Sequence, residues 1–152
     1  MMQNNSFQDK TVATVIKRIN TLTPNTNPNW GKMSVSQMLA HCNVTYEMAY
    51  EDTHAKPNFF MKFILKTFVK KIVVSDTPYK KNEQTAPQFI IKDEKEFTAE
   101  KNRLINYIEK TKTLGAAHFE GKASHSFGKL SASQWDTMFY KHLDHHLTQF
   151  GV

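Results

Sequence analysis

Trp135-Asp136-Thr137-Met138-Phe139-Tyr140-Lys141-His142-Leu143-Asp144-His145-His146 is the stretch on which the reading of this chain turns. Apolar residues recur in it at helical intervals, and two histidines stand four residues apart. That spacing stacks His142 over His146 on one helix face. At about 100° per residue, Trp135, Met138, His142, His146 and Gln149 share an arc of roughly 80°. The pair is therefore expected to point along the apolar stripe towards a core. His145 falls to one side and reads as an edge residue. Ser131 and Gln134 open the helix with a capping box, in which each side chain satisfies a free backbone N–H. Phe150-Gly151 end it.

Working outward, three more long helices follow from the same periodicity. One spans 7–22, with Val12, Val15, Ile16, Ile19 and Leu22 in register, and Pro24 to Asn29 stop it. A second starts at Ser34, again with a capping box to Gln37, and carries Met38, Cys42, Tyr46 and Ala49 on one face to about Asp52. A third runs over 94–113 with Phe97, Leu104, Ile105 and Ile108 inward and Gly115 near its C-cap. Residues 58–74 read as a shorter amphipathic helix with Phe60, Ile64, Phe68 and Ile72 together and Lys62, Lys66 and Lys70 on another face. Its apolar face is expected to pack on the other helices while the lysines stay in water. An interfacial membrane helix is the rival reading. Residues 75–93 form a long irregular loop, the kind that often covers a site. Phe89-Ile90-Ile91 is the one short strand signal, and 116–130 is a connector. These elements predict an all-α fold, a four-helix bundle with one extra short helix, in a single domain over 1–152.

Composition excludes several classes. With 152 residues, 39% hydrophobic and 12% aromatic, the chain can bury an ordinary core and is not a disordered one. One cysteine cannot form an internal disulfide. The polar start from Met1 to Lys10 shows no signal-peptide core, which points to the cytoplasm. The most apolar segment, Phe59 to Val74, is too short and too charged to span a bilayer. A net charge of +6 lies in the range that keeps a small domain soluble. No zinc-finger spacing, aromatic RNA-binding motif or glycine-rich phosphate loop accompanies it, so no nucleic-acid partner is expected.

Seven histidines remain to be placed. Two stacked imidazoles on an inward face need partners, because each neutral ring has one donor and one acceptor. A divalent metal would take both acceptor nitrogens, and hydrogen bonds to buried polar groups would serve as well. His41 is the only histidine inside the second helix, near the edge of its apolar face, and is the candidate third ligand. Cys42 competes with it, although a small buried residue is its better reading. His54, His118 and His125 fall in loops or at helix ends. Tyr46, Glu47 and Tyr140 share the metal-bearing helices and are candidate acid–base groups, with packing and a solvated charge as the simpler readings. Lys80 and Lys81 suit an anionic substrate or a solvated loop equally.

The ordered set Trp30-Gly31-Lys32, Met38-Leu39-Ala40-His41, Thr85-Ala86-Pro87, Phe127-Gly128-Lys129-Leu130 and the terminal His142/His146 pair resembles the DinB/YfiT-like metalloenzyme superfamily. It is most similar to a branch known as a domain of unknown function. The resemblance spans nearly the whole chain. It implies a bundle holding one divalent metal, zinc or nickel, on His41, His142 and His146. It also implies homodimers, as in many relatives, and chemistry on a small-molecule substrate or low-molecular-weight thiol. Three imidazole ligands leave an open position for water or thiol, hence hydrolase or S-transferase chemistry. The sequence departs from the thiol-dependent enzymes in one respect: no second, thiol-recognising domain is read in it. A bundle that binds a metal or small ligand without catalysis is the alternative.

Overall fold

The computed structural model describes residues 5–83 and 85–152. The first four residues of the polar start lie outside the described residues. In chain order come α1 (Asp9–Thr21), α2 (Val35–Tyr50), α3 (Phe59–Ile64), a π-helical turn (Leu65–Val69), α4 (Lys70–Val73) and a 3-10 turn (Pro87–Phe89). Helix α5 (Phe97–Phe119), strands β1 (Ala123–Ser124) and β2 (Gly128–Lys129), and α6 (Ala132–Gln149) complete it. The molecule is mostly helical. Four long helices pack on one another, and the two strands pair antiparallel with Ala123 opposite Lys129.

Local chemistry sets the helix ends. Both expected capping boxes form: Ser34 Oγ accepts from the Gln37 N–H and Ser131 Oγ from the Gln134 N–H, and each glutamine returns the bond. Such a cap is worth about 1 kcal/mol. Glu96 caps α5, its carboxylate accepting from the Thr98 and Ala99 amides. The helix expected to end at residue 113 does break its dihedrals at Gly115 (φ +72°, ψ 171°), but it makes one further turn. That turn delivers Phe119 into the core against Phe7, Trp135 and Phe139, which is reason enough for the chain to continue.

The core joins Val12, Val15, Ile19 and Leu22 of the first helical segment to Leu104, Ile108, Phe119, Trp135, Phe139, Leu143 and Leu147. Helix α2 lies in the middle, with every residue from Met38 to Glu47 buried. A helix buried on all sides shows little amphipathic contrast. This is why His41, placed by periodicity at the edge of an apolar face, is itself buried. On α6 the core line is Trp135, Phe139, Leu143 and Leu147, so the arc through Met138, His142 and His146 is the flank of that stripe.

Two expectations are corrected. Phe89-Ile90-Ile91 is not a strand; Pro87 fixes the start of a 3-10 turn, and Ile90 N–H bonds back to Pro87 O. The apolar face of 58–74 does not pack away. No residue of α3, the π turn or α4 is buried, and Phe59, Phe60, Phe63, Phe68 and Ile72 are exposed. The segment lies outside the four packed helices, and its π turn, whose i→i+5 bonding inserts a residue, shifts the register of the residues that follow it. Half-buried Ile64, Leu65, Val69 and Val73 become the inner face instead. Among the described residues, no helix is long and apolar enough to cross a membrane.

Candidate metal centre

His41 from the middle of α2 meets His142 and His146 from the last turns of α6. The three rings offer ligand nitrogens that all lie within 4.8 Å of one another. His41 Nε2 and His142 Nε2 are 3.0 Å apart. His41 and His146 are buried, and His142 is half-buried at the edge of the group.

The outer nitrogens are all engaged. His41 Nδ1–H donates to the Phe89 carbonyl at 2.8 Å. His146 Nδ1–H donates to Gln149 Oε1 at 2.8 Å, and Gln149 Nε2–H in turn donates to the Trp30 carbonyl. Thr45 Oγ1 stands 3.1 Å from His142 Nδ1. These contacts put the protons of His41 and His146 on Nδ1 and leave their Nε2 lone pairs facing inward. His142 Nε2–H donates to His41 Nε2, and Thr45 Oγ1–H can then donate to His142 Nδ1. Moving that one proton to Nδ1, with Thr45 accepting, would turn three acceptor nitrogens towards a cation. This is the pattern by which outer contacts orient histidine ligands. Four-coordinate zinc with bonds of about 2.0–2.1 Å holds its ligand atoms roughly 3.3 Å apart, within a few tenths of the His41–His142 spacing. The three histidines could hold a divalent metal ion.

Electrostatics keeps the ligands neutral. Burial lowers the pKa of His41. Burial, then the neighbouring His146 and His41, holds His142 well below the usual histidine value. His146 is pushed down to about 3, chiefly by burial and then by His41. Unprotonated imidazole is the metal-binding form, so the lone pairs are available at neutral pH.

The sequence motifs that flank the histidines form the outer part of this site. Gly31, with φ +85°, brings the chain so close to Gln149 that an added Cβ would sit 2.6 Å from its Nε2. Thr85-Ala86-Pro87 leads into the turn that aims the Phe89 carbonyl at His41. The Phe89 ring lies against both His41 and His142. Phe89 thus covers His41 and His142.

Other candidates resolve differently. Cys42 is buried with its thiol pushed up by burial, donating weakly to Met38 Sδ, and does not join the cluster. His145 is half-buried beside His146, with Trp30 and Tyr79 at its edges. It borders a cleft of about 410 Å³ that Tyr140, Lys81 and Lys141 also line. Lys81 lies over the Trp30 ring and Lys141 over Tyr79. Lys80 faces Glu83 in the same loop at 4.0 Å. Tyr46 is packing, stacked between Tyr107 and Phe139. Glu47 is not a solvated charge; its carboxylate is buried between Arg103 and His54, each at 2.6 Å. His54 and His125 are half-buried loop residues, joined by His125 Nε2–H donating to the His54 carbonyl. His118 lies in the exposed last turn of α5, accepting from Lys122.

Sequence reading missed Thr45 and Phe89. Thr45 lies four residues after His41 on the same face, a signal that was present. The Phe89 contact uses a backbone carbonyl and leaves no residue-type signal.

A mostly helical protein with three histidines converging from two helices is the class that fold and site define. Residues 1–151 match the family described as "Protein of unknown function (DUF1569)", and the chain belongs to that family. No curated protein and no solved structure matches it.

Proposed function

We propose that the protein is a metal-dependent enzyme of the DinB/YfiT-like type, a one-domain bundle in the cytoplasm that uses His41, His142 and His146 as ligands for zinc or nickel. One observation carries the reading. Three neutral imidazoles converge, and each has its outer nitrogen held by a separate partner: Phe89 O, Thr45 Oγ1 and Gln149 Oε1. A bound ion supplies Lewis acidity, lowering the pKa of a water or thiol at its open position. The cleft of about 410 Å³ beside His145, the neighbour of His146, has room for a small substrate or a low-molecular-weight thiol, with Trp30, Tyr79 and Tyr140 among its walls and Lys81 and Lys141 at its edge. Hydrolysis or thiol S-transfer is the chemistry this supports.

A non-catalytic metal- or ligand-binding role is the second reading, and Glu47 favours it. The carboxylate that would best serve as an acid–base group is committed to Arg103 and His54.

Metal analysis of tag-free protein tests the site. Wild-type protein is expected to hold about one divalent ion per chain, His142→Ala close to none, and the exposed His118→Ala as much as wild type. Equal metal in wild type and His142→Ala would refute the three-histidine site. Thiol-dependent assays with glutathione or bacillithiol on metal-loaded protein then separate enzyme from binder, and complete inactivity favours the binder.

A further inference from the structure

We infer that the α3–α4 segment is a docking surface for an anionic phospholipid bilayer. The helical run from Phe59 to Val73 stays outside the packed helices with its largest apolar side chains in water. Phe59 is 91% exposed, Phe60 71%, Phe63 61%, Phe68 65% and Ile72 54%. Five bulky apolar side chains on one short segment exceed the scattered exposure that soluble surfaces ordinarily carry. The segment is nonetheless held in shape. Asn58 Oδ1 caps its start by accepting from the Met61 amide. Lys141 Nζ donates to the Ile72 and Ser75 carbonyls at its end, tying it to α6 one residue before His142.

Charge identifies the occupant. Lys62, Lys66, Lys70 and Lys71 lie on this segment, and no Asp or Glu occurs between Asp52 and Asp76. Lys62, Lys66 and Lys71 are exposed, whereas Lys70 Nζ donates to the Lys129 carbonyl and the end of the Lys66 side chain lies beside Gly128. Exposed aromatics bordered by lysines match the interface of a membrane with negative headgroups, where the rings enter the acyl boundary and the ammonium groups meet phosphates. A second copy of the chain fits poorly. A two-fold interface on this face would set the same lysine-rich surface against itself with no carboxylate between.

Co-sedimentation with vesicles tests the assignment on the full chain. Phosphatidylcholine vesicles containing one quarter phosphatidylglycerol are expected to pull the protein down at low salt. Pure phosphatidylcholine vesicles, or half-molar salt, should release it. Because Phe60 and Phe68 are exposed, the double substitution Phe60→Ser/Phe68→Ser should keep the wild-type circular dichroism. It should lower the bound fraction at least ~tenfold. Failure of the wild type to sediment with anionic vesicles, or equal sedimentation of the double variant, overturns the proposal. So does light scattering that finds a wild-type dimer which the double variant converts to monomer, since the face would then belong to a second copy.

Discussion

Along α2, His41 and Glu47 are both buried polar residues, but their neighbours differ in kind. Around Glu47 the partners close on one another: the Arg103 guanidinium and the His54 ring grip the carboxylate, and Arg103 also reaches Glu100, which Asn43 holds. Around His41 the neighbours are two more imidazoles, and the contacts on their far sides turn acceptor atoms inward. A buried group whose charges are met inside the protein is part of the framework. A buried group whose lone pairs can be turned together could hold a cation. Two clusters on one helix thus separate a charge met inside the protein from a set of neutral ligand atoms.

The sharpest way to break that comparison is to open the closed cluster. Glu47→Ala leaves Arg103 and His54 without their partner and is expected to destabilise the protein by about 2–3 kcal/mol. That lies below the full cost of a broken buried pair because Arg103 is partly exposed. Metal content should not change. Urea unfolding and metal analysis of one preparation check both halves, and a parallel loss of metal would merge the two clusters into one.

Acid should act on the open cluster instead. In chelator-treated protein His146 is held at about 3, and His41 and His142 are also lowered. Unfolded histidine titrates near 6.5. Below that value the unfolded chain takes up protons that the folded chain refuses, so stability is complete above about pH 6.5 and falls as the pH drops towards 3. For His146 the loss by pH 5 is on the order of 2 kcal/mol. Urea midpoints at pH 7.5 and 5.0, compared with His146→Gln, measure it; identical pH dependence in the two proteins would remove His146 as the source.

The outer contacts should give the smallest effect. Gln149→Ala frees the His146 ring and is expected to weaken metal binding by about tenfold, the lower end for such partners. Competition with a chromophoric chelator reads the change. An unaltered affinity would mean that packing alone orients His146.

Helix caps and the histidine pair were legible in the sequence because both are local. Ser34 with Gln37, Ser131 with Gln134, and His142 with His146 depend on spacings of three or four residues, and each adopts the expected relation. Convergence of His41 with that pair is a long-range fact, and motif resemblance anticipated it where periodicity alone left it open. Non-local or backbone features stayed hidden. The extra turn to Phe119 is driven by a pocket built from other helices. The turn that presents the Phe89 carbonyl replaces an apparent strand. Phe59, Phe60 and Phe63 are exposed ahead of the π turn, and Phe68 and Ile72 within and after it; apolar spacing records neither the missing partner nor the slip of register.

The bond from His41 to the Phe89 carbonyl joins the centre of α2 to the irregular 75–93 segment. Site occupancy and strap position therefore belong to one thermodynamic cycle. If the seated strap tightens metal binding by some factor, bound metal must favour the seated strap by that same factor. A ligand that lifted the strap would loosen a bound ion, and one that left the Phe89 contact in place would not. Metal affinity measured with and without a bound ligand thus reports whether that contact has moved.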